Sequence, residues 1–230
     1  MKTRQTGFTL VEIAIVLVII GLLLGGILKG QEMITQAKIK NVVNDFNGIT
    51  AAVNSYQDRY RALPGDDLNA TGRWKASDGT TDVTSNGNGN GSFNCSAAKA
   101  GYNDGPPTTM TGIAAGQSEC NLYWQHLRLA GFVGGATTGQ AAGQQPANAA
   151  NGIMGVQTGG MGFTSSIICS SNLPDKIAIA VDSQMDDGTA ASGQVRGLKQ
   201  TGANDPTGAN APTDVYAETG TNQYLLCKNM

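Results

Sequence analysis

The chain has 230 residues, with 15 Lys and Arg against 17 Asp and Glu, a formal net charge of -2, and only 14% charged residues where an ordinary soluble domain has about 25%. That balance excludes nucleic acid as the main partner, which needs a basic surface; one histidine excludes any site built on two, and four cysteines without a Cys-x-x-Cys pair exclude a zinc ribbon or thioredoxin-like motif. With 32 glycines and 6% aromatics, the composition also argues against an enzyme built around a deep apolar pocket.

The first seven residues, MKTRQTG, are short and basic through Lys2 and Arg4. Phe8 to Leu28 then forms an apolar run with one charge, Glu12. As a helix that run spans about 31 Å, close to the hydrocarbon thickness of a bilayer. It has no polar face, so it is a membrane segment or a secretion signal. The basic flank holds the N-terminus on the cytoplasmic side. The run ends in GGILKGQEMI rather than in a small-x-small cleavage site, so the segment is expected to be retained, with the bulk of the chain beyond the membrane. A carboxylate at this depth costs about 2.5–3.5 kcal/mol on insertion scales and needs a partner. Cleavage after Gly7 would create one: the new α-amine of Phe8 would lie about one helical turn from Glu12.

Gly7, Phe8, Thr9, Leu10, Val11 and Glu12, behind a basic leader and ahead of an unbroken apolar run, resemble the prepilin signature of type IV pilins and type II secretion pseudopilins. The resemblance implies that a prepilin peptidase cuts after Gly7 and methylates Phe8. It implies that Glu12 pairs with the N-terminus of a neighbouring subunit. The implied partners are other pilin subunits, the peptidase, and an inner-membrane assembly platform with its cytoplasmic ATPase. The implied location is the inner membrane, head in the periplasm, and afterwards an extracellular pilus or a periplasmic pseudopilus. The seven-residue leader and Phe8 look like the type IVa class. Many major pilins carry a proline within the apolar helix; this chain has Gly21, Gly25, Gly26 and Gly30 instead, each loosening a helix by about 1 kcal/mol relative to alanine.

Beyond Gly30 the pattern becomes amphipathic. Ile39, Phe46, Val53 and Tyr60 are seven apart, with Val42, Ile49 and Tyr56 three residues after the first three. Leu63-Pro64-Gly65-Asp66-Asp67 ends the pattern at a turn. The expectation is one helix from about Phe8 to Tyr60. The organisation follows: a leader at 1–7, a transmembrane or filament-core helix at 8–29, an amphipathic helix at 30–62, and an exported head at 63–230.

The head is rich in Gly, Asn, Ser and Thr. Asn86 to Gly91 alternates Asn and Gly and reads as a low-complexity loop. Glu119–Phe132 reads as a short helix with Leu122, Trp124, Leu127 and Leu129 on its apolar face, stopped by Gly131. Gln140–Asn151 reads as a polar loop. Lys176–Val181, bounded by Pro174 and Asp182, reads as the clearest strand. Asp186-Asp187-Gly188 marks a turn, Gly193–Leu198 a returning strand and Tyr224–Leu226 a last short one. The fold class is therefore α+β: a long N-terminal helix packed on a small antiparallel sheet with long loops. Leu63-Pro64-Gly65-Asp66, Trp124-x-His126-Leu127 with Ala130-Gly131, and Asp186-Asp187-Gly188 together also look like a subset of proteobacterial pilin-like proteins.

Cys95, Cys120, Cys169 and Cys227, an even number on the exported side, imply disulfides. Three pairings are possible. The sequential one, Cys95–Cys120 and Cys169–Cys227, is preferred, the second bridge pinning the C-terminus much as pilins staple theirs. His126 lacks a second histidine or a nucleophile pattern and reads as structural. Asp182, Asp186 and Asp187 are candidate calcium ligands, since calcium prefers clustered oxygens, but they match no EF-hand spacing and a hairpin turn accounts for them too. Gly134–Gly139 lacks the Lys-Ser/Thr of a phosphate loop, and no catalytic motif is present. The sequence thus points to a non-enzymatic pilus or pilus-like filament subunit. The alternatives are a type II secretion pseudopilin or a minor, tip-adhesive pilin.

Overall fold

The structure, a computed structural model, describes residues 9–93, 95, 101–104, 118–204, 212–213 and 215–230. The chain divides into two compact units, one ending at Lys38 and one running from Ile39 to Met230. Helix α1, Leu10–Tyr60, runs through both. In the first unit its side chains lie in solvent: Leu10 to Leu28 leave their large apolar groups exposed. From Ile39 onward the expected seam is buried, with Val42, Phe46 and Tyr56 fully enclosed and Ile39, Ile49 and Val53 nearly so. Tyr60, the last seam position, is only half-buried.

The second unit also contains α2 (Ala70–Arg73), α3 (Glu119–Leu129), α4 (Asp175–Met185) and four strands: β1 (Met154–Gly160), β2 (Phe163–Pro174), β3 (Val195–Lys199) and β4 (Gln223–Asn229). The strands form an antiparallel sheet in the order β1-β2-β4-β3. Its two faces alternate as a pleated sheet requires. Met154, Val156, Ile168, Val195 and Leu226 join the α1 seam with Tyr123, Trp124 and Leu127 of α3. On the opposite face, Ile167, Cys169, Leu225 and Cys227 gather around Tyr102 and Met161. The architecture is α+β, as the sequence implied.

Two readings of the head change. Lys176–Val181 is not a strand but the body of α4. Its Ile-Ala-Ile-Ala-Val alternation fits period 2, yet Ile177, Ala178 and Val181 also fall on one helical face, and it is that face which is buried. The local start signal decides it: Pro174 fixes the entry and Asp175 sits in the first turn, where a carboxylate is favoured. Asp186-Asp187-Gly188 accordingly closes a helix rather than a hairpin. The second change is the β1–β2 hairpin, unforeseen because Met154–Pro174 is largely Gly, Ser and Thr. Its two-residue turn, Met161-Gly162, has positive φ at both positions (52° and 77°), the backbone twist that suits tight hairpins.

α3 follows its sequence signals at both ends. The Ser118 side chain accepts from the Cys120 amide, capping the start. At the end Gly131 takes φ 80°, the Phe132 amide donates to the Leu127 carbonyl and the Gly131 amide to the Arg128 carbonyl, the paired bonds of a Schellman stop. The surprise is its burial: Glu119 to Arg128 are all enclosed, polar residues included. Each of several polar side chains organises a loop. Gln125 Nε2 donates to the Val83 carbonyl while its Oε1 accepts from Thr84. Asn121 donates to the Asp104 carbonyl at 2.8 Å. Arg128 donates to the carbonyls of Gly134, Ala142 and Gln144. A head with few apolar residues thus uses one polar helix to satisfy loop carbonyls that would otherwise be buried without partners.

Disulfides join Cys95 to Cys120 and Cys169 to Cys227. Cys169 and Cys227 face each other in the β2–β4 register, so this bridge ties the last strand to the centre of the sheet. The other ties the segment after the Asn-Gly loop to the first turn of α3.

Candidate functional site

Gly7 and Phe8 lie outside the described residues. The motif becomes visible at Thr9. Its backbone N–H and its hydroxyl both donate to Glu12 Oε2, at 2.8 and 2.7 Å, and its hydroxyl oxygen accepts from the Glu12 amide at 3.3 Å. This reciprocal arrangement is a capping box, Thr-x-x-Glu, and it starts the helix at Leu10. The Thr-x-x-Glu signal stands in the sequence, inside the prepilin pattern. It means that Glu12 finds partners inside a single chain, where the sequence alone suggested a bare carboxylate needing an external cation. Both donors converge on one oxygen; Oε1 accepts no hydrogen bond among the described residues.

Downstream of Glu12, α1 is long and apolar enough to cross a membrane, and its most apolar window is entirely unburied. Four of its glycines, Gly21, Gly25, Gly26 and Gly30, include two Gly-x-x-x-Gly spacings, and each has open space where a Cβ would stand. This spacing lets helix backbones approach closely in a bilayer.

The three aspartates are brought together: one carboxylate oxygen from each of Asp182, Asp186 and Asp187 lies within 4.8 Å of the others. Those carboxylates are nonetheless engaged in organising the α4–β3 loop. Asp182 accepts from the Tyr216 hydroxyl and the Gly188 amide. Asp186 accepts from the Gln194 and Val195 amides. Asp187 accepts from the Thr189 amide and the Ser192 hydroxyl. Burial pushes the Asp182 carboxyl up, whereas the Ser192 and Thr189 hydrogen bonds hold Asp187 low. The cluster has a complete structural explanation as a loop clasp.

His126 is fully buried within α3. The Gly65 amide donates to Nδ1 at 2.9 Å, and Nε2 lies 3.0 Å from the Ser85 carbonyl, which assigns the proton to Nε2. The ring stacks near Tyr56 and Trp74. It joins the turn after α1 to the loop before Asn86, a structural role. Beside it, Asp67 receives the Tyr56 hydroxyl and a two-pronged Arg73 guanidinium. Asp66 accepts from the amides of Gly89, Asn90 and Gly91. The low-complexity Asn-Gly loop is thereby wrapped around one buried carboxylate.

The feature most characteristic of this chain is an acid-capped helix whose first part, Leu10 to Leu28, is an apolar run exposed along its length. Residues 2–28 match the family model of the prokaryotic N-terminal methylation motif. This is the type IV pilin and pseudopilin signature. No curated protein and no solved structure matches the chain. The pilin signature accounts for the apolar helix, and its family is one of structural subunits that assemble with one another after prepilin peptidase processing.

Proposed function

We propose that this chain is a structural subunit of a type IV pilus. It is made as a prepilin, cut after Gly7 and N-methylated on Phe8. Residues 8–29 anchor it in the inner membrane with the head in the periplasm, and assembly then moves it into an extracellular filament. The observation that supports this best is the run of exposed apolar side chains from Leu10 to Leu28, interrupted only by a capped Glu12. Such a surface cannot remain in water. It lies in lipid before assembly and against other copies afterwards. Leaving lipid for protein yields little hydrophobic free energy, so packing, close helix approach and polar registration decide the association. Glu12 serves that registration: its unshared Oε1 is positioned to accept the α-amine of Phe8 from a neighbouring copy. Electrostatic pairing of this kind supplies specificity more than affinity.

The test is mass spectrometry of filaments sheared from the producing cell. The expected N-terminal peptide starts at Phe8 and carries one added methyl group. An assembled chain that still begins at Met1 overturns the proposal.

A further inference from the structure

A groove of about 250 Å³ runs beside the amphipathic part of α1. Its walls include Asn44, Asp45, Gly48 and Ile49 of α1, with Val133 and Met154 opposite. Two features of it have no use in a single copy. Asp45 is half-buried, yet its carboxylate has no hydrogen bond or ion pair among the described residues, and burial pushes its pKa up. A partly desolvated carboxylate left in this state is unfavourable unless a cation arrives. Gly48 sits in the interior of a helix, where alanine is preferred, and a Cβ there would meet nothing within 4 Å. No packing in its own chain demands the glycine; a second backbone passing close by would.

We infer that this groove is a subunit–subunit contact that receives α1 of a second copy, with the neighbour's Lys40 ammonium placed on Asp45. Lys40 is exposed and makes no ion pair among the described residues. It lies about 140° around the helix from Asp45, at 100° per residue, so the two charges occupy nearly opposite sides of α1, as a head-to-tail contact requires. The spacing along the helix agrees as well. Identical copies related by one translation are displaced equally at every residue. Lys40 precedes Asp45 by five residues, about 7.5 Å of helix, and Phe8 precedes Glu12 by four residues of chain. In both pairs the cation is the earlier residue. A neighbour displaced by about 7.5 Å along the helix therefore brings its Lys40 level with Asp45, and the same direction of shift carries its N-terminus toward Glu12.

This inference rests on the filament reading, and the experiment separates the two. Filament yield is measured by shearing from cells producing full-length wild type, Asp45→Lys, Lys40→Asp or the double exchange, with cleavage of the leader and protease resistance of the head followed in parallel. Each single reversal is expected to lower filament yield by at least about tenfold through like-charge repulsion at the contact, with cleavage and head resistance unchanged. The double exchange is expected to recover yield to within about threefold of wild type. Single variants that assemble like wild type, or a double exchange no better than the singles, overturn the contact while leaving the filament reading intact. A wild-type chain that is never cleaved or never assembles overturns the filament reading and this inference with it.

Discussion

Acidification should unlatch the head at one residue. His126 is the single histidine of the chain, and burial pushes its pKa down to about 4 from an ordinary 6.5. The Ser85 carbonyl and the Asp67 charge pull it back up, and Arg73 adds to the depression. The neutral ring accepts from Gly65 at Nδ1, which a protonated ring cannot do. Because the folded-state value lies below the unfolded one, the unfolded chain binds more protons between pH 6.5 and 4. The stabilisation is complete above pH 6.5 and is lost as pH falls through that window, about 3 kcal/mol in all at about 1.4 kcal/mol per pH unit. Carboxylates do not mimic this. Those held low, such as Asp175 and Asp187, lose their contribution only below their ordinary 3.8, and those pushed up, Asp45 and Asp182, favour the folded state on acidification. The assay is guanidinium unfolding of the detergent-solubilised chain, followed by Trp74 and Trp124 fluorescence at pH 7, 5.5 and 4. His126→Gln, whose amide can accept from Gly65 and donate to Ser85, should start less stable at pH 7 and show little slope across the window. An equal slope in both proteins, or none in wild type, refutes the reasoning.

Two further outcomes test the head. Cys169→Ser with Cys227→Ser should lower its stability by up to about 4 kcal/mol, the chain-entropy value for a bridge spanning 58 residues, and unfold β4 first; hydrogen exchange across Gln223–Asn229 reads this directly. Gly65→Ala should cost at least about 2 kcal/mol in the same guanidinium assay, because Gly65 has φ 88° and a Cβ there would lie 2.5 Å from the Glu119 carbonyl oxygen.

The parts of the fold legible in the sequence are those where local signals and burial agree. The Ile39–Tyr56 seam repeats often enough to fix both the helix and its buried face, and Gly131 at the end of α3 leaves no other reading of its stop. Where agreement fails, the outcome depends on residues far away in sequence. The β2 strand, FTSSIICSSNLP, carries little apolar alternation, and it becomes a central strand because β1 and β4 pair on either side of it. α4 satisfies both periodicities, and the choice is made by its Pro-Asp start together with the amides of Thr219 and Gly220, which donate to Asp175 from more than forty residues away. The polar burial of α3 is invisible in composition, since Gln, His and Arg ordinarily face water. Only the loops they serve explain it. The same holds for Asp66 and Asp67, which read as turn formers and prove to be the anchors of the Asn-Gly loop and of Arg73.

Glu12 was legible as an anomaly, but half of its explanation was missed. A carboxylate in the first turn of a helix is favoured by the amide dipoles there, and Thr9 adds two donors to one of its oxygens. A single chain therefore offsets much of the cost of holding this acid at the head of an apolar helix, with no cation present. Capping and assembly are then separable, because glutamine serves a capping box nearly as well as glutamate but carries no charge. Glu12→Gln should be inserted and cleaved like wild type, whereas Glu12→Val loses the cap as well and should fray the helix start. If registration depends on charge pairing with the neighbour's amine, both variants should lose filament yield by about tenfold or more. A Gln variant that assembles at the wild-type level would show that the cap is the whole role of this residue, and the pairing would have to be abandoned.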